Sequence, residues 1–318
     1  MVLYHWWNYF VSPEGDIYRY LRFLTPSFIF ITGFLISNVY LAKYGIADRQ
    51  VPVRLVQRGV KLLAVFICLN LVISLLLTDS ANRRMLFADL SLNNLTAIYV
   101  TGNVWMAAAY AKAAAFYILV PISYLLLLSA LLLKLARFYR YTFHLVAALF
   151  LLANLILTLN GLKSANLEIL TIGLLGVVSG FVSIEKINDW INRPLPLVLA
   201  YLCYVGVITL WDVTYPLQLV GVYLTLMLIY LLGASGPETG RVRRHIILLG
   251  KYSLFGYIAT IAILQILLRS LRHSNGGAVA LAVTFVAAFI LTMVSVEVVE
   301  RVRARTATVD RLYRAVFA

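Results

Sequence analysis

Nine apolar stretches of membrane-crossing length run through this chain, near residues 24–42, 60–78, 113–133, 142–160, 165–184, 195–212, 214–233, 247–268 and 277–299. A bilayer core takes about 20 apolar residues of α-helix to cross. Inside it no water satisfies a stray backbone N–H or C=O, so each stretch must bond internally as a helix. Composition agrees: 62% of the residues are hydrophobic and 13% charged, with a mean hydropathy of +0.90, where soluble domains carry about a quarter charged residues. The expected fold is all-α, a polytopic transmembrane helix bundle of about nine spans, forming a single integral membrane domain over residues 1–318.

The net charge of +14 would suggest a nucleic-acid partner in a soluble protein. Here the cations lie between apolar stretches, where they set orientation instead, and nucleic acid is set aside. Of the 27 Lys and Arg residues, 18 fall in one set of alternate connections and 8 in the other, with Lys251 inside the eighth stretch. The basic side is expected to be cytoplasmic, giving a multi-pass protein of the cell (inner) membrane with its C-terminus inside and its N-terminal segment outside. That segment, residues 2–11, is apolar and aromatic-rich. It reads either as the last turns of a helix that begins upstream or as an interfacial aromatic segment. It has neither the basic n-region nor the small-residue cleavage site of a signal peptide.

Cys68 and Cys203 both lie in apolar stretches without metal-ligand spacing, and no metal site is expected. The longest outer connection, 79–112, contains Trp105 and reads as a re-entrant or interfacial helix or as a surface loop. It also holds a formal glycosylation sequon, Asn94-Leu95-Thr96. Gly173, Gly176 and Gly180 recur along one stretch and predict close helix packing.

Candidate chemistry is sparse. Arg54, Arg58 and Lys61 follow i, i+4, i+7 spacing and form one stripe on a helix. Such a stripe anchors a span, or it binds the phosphates of a nucleotide-type donor such as acyl-coenzyme A. His5 has the residue type for a general base near neutral pH, and equally for an amphipathic interfacial residue. Asn8, three residues on, would orient the imidazole or bind substrate. His144 and His245 adjoin basic segments, His273 sits in a short outer turn, and Lys251 is expected one turn into its span, able to snorkel or to hold a phosphate. Glu168, Asp212 and Glu297 lie near span ends, as caps and interface residues do. Nucleophile elbows and phosphate-binding glycine loops are absent.

The ends of the chain resemble the acyltransferase 3 superfamily, which includes glucan succinyltransferases and heparan-alpha-glucosaminide N-acetyltransferase-like proteins. The resemblance rests on His5 ahead of Phe28-Ile29-Phe30-Ile31-Thr32-Gly33-Phe34-Leu35-Ile36, then on Arg58-Gly59-Val60-Lys61. Near the C-terminus, Leu249-Gly250-Lys251-Tyr252-Ser253-Leu254-Phe255-Gly256-Tyr257 is similar to the family's late helix start. The middle stretches match in hydropathy. Two departures stand out: the family's first helix, with its introductory Arg and Asp, has no counterpart here, and Lys61 takes the position of the second arginine.

The resemblance implies a bundle of about ten membrane helices, each of about 20 residues. It also implies transfer of an acyl group from cytoplasmic acyl-coenzyme A to a hydroxyl of a cell-surface or exported glycan or lipid-linked sugar. On that reading Arg58 and Lys61, with Arg54, hold the donor's phosphates, and His5 deprotonates the acceptor. Acyl-coenzyme A is then a substrate, and no permanently bound cofactor is implied. The rival expectation is a non-enzymatic carrier or lipid-linked sugar translocator. Carriers commonly show related halves, broken helices and ionisable residues at the membrane midplane; no half-repeat is evident here, and the charges gather at span ends.

Overall fold

The computed structural model describes residues 2–11, 18–46, 48–77, 95–102, 116–191, 194–211, 213–235, 240–271 and 277–317. Asn94, Trp105, Asp212 and His273 lie outside the described residues, as does most of the 79–112 connection. Among the described residues every regular element is helical. Among the described residues, seven helices are long and apolar enough to cross a membrane. A bent pair makes up to eight, and Pro194–Leu210 is a shorter apolar helix. Each of the nine expected stretches is carried by one of these helices. The chain divides into two compact units, residues 25–193 and residues 1–24 with 194–318.

The first unit holds α2 (Leu24–Tyr44), α3 (Gln50–Leu77), α4 (Leu119–Ala136), α5 (Thr142–Leu159), α6 (Ala165–Ser179) and α7 (Ile184–Ile191); α1 (Val2–Phe10) belongs to the other unit. Helix α2 widens into a π-helical segment, Ile36–Leu41. Its contact with α6 is a backbone-to-backbone approach. A Cβ on Gly33 would collide with the Gly173 carbonyl, and one on Gly176 with the Phe30 carbonyl. The small-residue stripe thus acts in close helix packing. Hydroxyls and amides tie the helices further: Ser37 donates to the Val177 carbonyl at 2.6 Å, Ser123 to the Gly59 carbonyl at 2.6 Å, and Asn154 to Thr171 Oγ1 at 2.6 Å. Without water as a competitor, such bonds hold apolar helices in register.

Helix α3 starts ten residues before the apolar stretch it carries. Asp48 Oδ1 accepts the Gln50 N–H at 2.7 Å, satisfying one free donor at the helix start. Val51, Leu55, Leu62 and Phe66 are buried along one face. A hydropathy average passes over this first part because its other face is polar; helical periodicity is the relevant signal. The fifth stretch is broken instead. Helices α6 and α7 meet at 102°, and α7 is amphipathic with Trp190 exposed.

The second unit comprises α1 (Val2–Phe10), a single turn at Tyr18–Leu21, α8 (Pro194–Leu210), α9 (Tyr215–Ser235), α10 (Arg241–Lys251), α11 (Ser253–Leu271), α12 (Ala278–Arg305) and α13 (Ala307–Phe317). Helix α1 packs on α11 and α12, burying Trp6 against Leu264 and Ala288. The Phe285 ring meets Trp6 edge-on at 5.2 Å. Thr260 and Thr292 share a hydrogen bond at 3.2 Å between α11 and α12. The eighth stretch does not run straight from residue 247. The chain turns at Tyr252, so α11 begins at Ser253, and Lys251 closes the amphipathic α10 rather than lying one turn inside a span.

Candidate functional site

His5 sits on α1, 9% exposed, where Trp6 and Tyr4 on either side are also buried. Its ring lies 4.9 Å from Tyr4, edge to face, and 5.6 Å from Tyr257 of α11. Its Nε2 has no hydrogen-bond partner among the described residues, and neither has the buried Nε1 of Trp7. Beside them, Gln265 Nε2 donates to Tyr9 OH at 2.7 Å. A buried polar atom without a partner is uncommon, because leaving it unsatisfied costs about 1–3 kcal/mol. Asn8 is half-buried one turn beyond His5, and no hydrogen bond joins the two, so the structure does not bear out an orienting role. Tyr9, Tyr257 and Gln265 were not singled out as site residues from the sequence. Gln265, a lone amide in an apolar run, was the available signal.

Arg54, Arg58 and Lys61 share one side of α3, within the helix and not ahead of it. The end of α2 completes their surroundings. Arg58 donates to Tyr40 OH at 3.1 Å, and Arg54 donates to Gln50 Oε1 at 2.9 Å. The guanidinium of Arg54 and the ammonium of Lys43 lie over the Tyr44 ring, at 5.0 and 5.2 Å from its centre. Aromatic faces attract cations, so Tyr44 keeps two positive groups side by side. Among the described residues no carboxylate pairs with Arg54 or Arg58, and both are exposed. Tyr40 and Tyr44 were not anticipated, because contacts between two helices leave no spacing pattern in either one. The chemistry of this surface suits an anion with several charges.

His5 and Asn8 therefore belong to one compact unit, and Arg54, Arg58 and Lys61 to the other. Two of the remaining candidates make structural contacts. His144 is exposed and stacks on Phe181 at 5.9 Å, while Glu297 pairs with Arg301 one turn on at 2.5 Å. Cys68 and Cys203 are free and exposed.

A charged cluster at the end of α12 was also not foreseen. Lys251 pairs with Glu300 at 2.9 Å, and Tyr252 OH donates to the same carboxylate. Arg303 donates to Tyr252 OH at 2.8 Å and pairs with Asp310 of α13 at 2.6 Å. Burial, followed by the neighbouring Glu300 carboxylate, pushes the Tyr252 phenol up to about 12. Arg303 and then Arg314 hold the Asp310 carboxyl below the usual carboxylate range. The cluster fastens α13 to the end of α12.

No family model, curated protein or solved structure matches this chain.

Proposed function

We propose that this protein is a membrane-embedded acyltransferase, moving an acyl group from cytoplasmic acyl-coenzyme A to a hydroxyl of a cell-surface or exported glycan. It works in the inner membrane with its C-terminus in the cytoplasm. The observation that carries the reading is the unpartnered Nε2 of buried His5, the histidine on which the acyltransferase 3 resemblance turns. A ring nitrogen with no partner among the described residues is available to a substrate hydroxyl.

In the reaction, Nε2 takes the hydroxyl proton as the acceptor oxygen bonds to the thioester carbonyl carbon. The carbon–sulfur bond breaks, and the departing coenzyme A thiolate takes that proton back from the imidazolium. Lys43, Arg54, Arg58 and Lys61 supply the cationic surface for the donor's phosphates. Asn8 contributes a polar contact to the acceptor.

The test is acyl-coenzyme A hydrolysis and transfer by the purified full chain, with His5→Ala and Arg58→Ala variants. His5→Ala is expected to lower transfer about 100-fold or more while leaving donor binding intact. Arg58→Ala is expected to raise KM for acyl-coenzyme A. Turnover unaffected by His5→Ala removes the catalytic assignment. Failure to bind any acyl-coenzyme A overturns the whole reading and favours a carrier.

A further inference from the structure

Helix α10 presents cations and apolar side chains together on one face. Arg243 and Arg244, then Ile247 and Leu248, then Lys251 recur at helical spacing. With Gly240 and with Glu300 of α12 they line an open cleft of about 440 Å³. Three cations thus face one carboxylate, and that carboxylate is already engaged. Lys251 Nζ lies 2.9 and 3.1 Å from its two oxygens, and Tyr252 OH donates to it as well. Arg243 and Arg244 are exposed and have no partner among the described residues. Two neighbouring guanidiniums with no counter-charge among the described residues make a site that an anion stabilises, and phosphate oxygens match their forked donors.

The level of the cleft narrows the choice of anion. Helix α10 ends at Lys251 and the apolar α11 begins at Ser253, so the cleft lies where a span gives way to a polar segment. Ile246 and Ile247 are 61% and 60% exposed on the same helix as the arginines. A helix with bare isoleucines beside cations is built to lie at a lipid–water boundary. A soluble phosphate gains nothing from those isoleucines, whereas a phospholipid satisfies both features.

We propose that the cleft between α10 and α12 binds the phosphate of an anionic phospholipid. Arg243 and Arg244 donate to its oxygens, Lys251 adds a third positive charge, and the acyl chains lie against Ile247. The site is separate from the acyl-transfer chemistry above and is read out by lipid binding alone.

The experiment titrates phosphatidylglycerol or phosphatidylcholine onto the purified full chain in neutral detergent and counts retained lipid by native mass spectrometry. The Arg243→Gln/Arg244→Gln double variant is expected to weaken phosphatidylglycerol binding about 30-fold, from roughly 1 kcal/mol per interfacial cation. Arg311→Gln, which removes a cation of α13 outside the cleft, is expected to leave binding unchanged. Equal retention by the double variant and the parent, an equal loss from Arg311→Gln, or equal retention of phosphatidylcholine each overturns the proposal. Displacement of the lipid by soluble ADP at the same arginines reassigns them to a nucleotide and overturns the lipid assignment.

Discussion

Trp6 donates its indole N–H to the Thr284 hydroxyl at 2.9 Å, a buried bond between residues 278 positions apart. It pins α1, and with it His5, to α12. Thr284→Val keeps the shape of the side chain and removes the acceptor. The variant is expected to cost about 1 kcal/mol, with Thr284→Ser near neutral, when thermal unfolding is followed in detergent.

The approach of α2 to α6 leaves no room for a side chain at Gly176, where a Cβ meets the Phe30 carbonyl. Gly176→Leu is therefore expected to lower the Tm sharply, with a loss of about 1–3 kcal/mol. Gly250→Ala, at a helical position with open space around it, is expected to be neutral or slightly stabilising in the same measurement.

Asn166 donates to the carbonyls of Ile98 and Val100 at 3.1 and 3.2 Å, and Tyr117 OH donates to its side-chain oxygen. One amide thus ties the π-helical turn Thr96–Thr101 to α6. Asn166→Leu leaves these groups unsatisfied, a loss of about 1–3 kcal/mol each where they are buried. Hydrogen exchange over residues 95–102 is expected to accelerate while α5 stays protected.

The Arg303–Asp310 pair makes the docking of α13 sensitive to acid. Asp310 has a lower pKa folded than unfolded, so its contribution is fully present above the ordinary carboxylate pKa of about 3.9. It is lost as the pH falls through the lower, folded value. Protection of the α13 amides against hydrogen exchange, taken relative to the intrinsic exchange rate at each pH, is expected to be high at neutral pH and lower at strongly acidic pH. Asp310→Asn is expected to give the low protection throughout and to flatten the pH dependence.

Gln265 donates to Tyr9 OH beside His5. Gln265→Leu removes that donor while keeping an apolar side chain in α11. On the acyltransferase reading, transfer is expected to fall about 10-fold, the scale of one lost hydrogen bond near the reacting group. Acyl-coenzyme A binding is expected to hold, which a general loss of folding would not permit.

All-helical architecture and the placement of the apolar helices were legible in the residues alone, because lipid leaves the backbone no partner but itself; the expected nine spans became seven or eight of crossing length among the described residues. The close packing at Gly173 and Gly176 was legible for a related reason: only small residues let apolar helices approach. The stripe Arg54, Arg58, Lys61 was legible from helical spacing. Its aromatic partners Tyr40 and Tyr44 were not, since they come from another helix. The early start of α3 escaped because its buried face, Val51 and Leu55, is averaged away by the polar residues opposite.

By itself, then, the sequence determined which segments are helices and which side chains are chemically able to act. Tertiary structure alone decided their surroundings. It left His5 Nε2 without a partner among the described residues, turned the chain at Tyr252 so that Lys251 meets Glu300, and brought Arg243 and Arg244 to the rim of a cleft. The physical reason is range. Hydropathy and helical period act over a few turns of one segment, whereas burial and pairing depend on contacts such as Trp6 with Thr284, between residues at opposite ends of the chain.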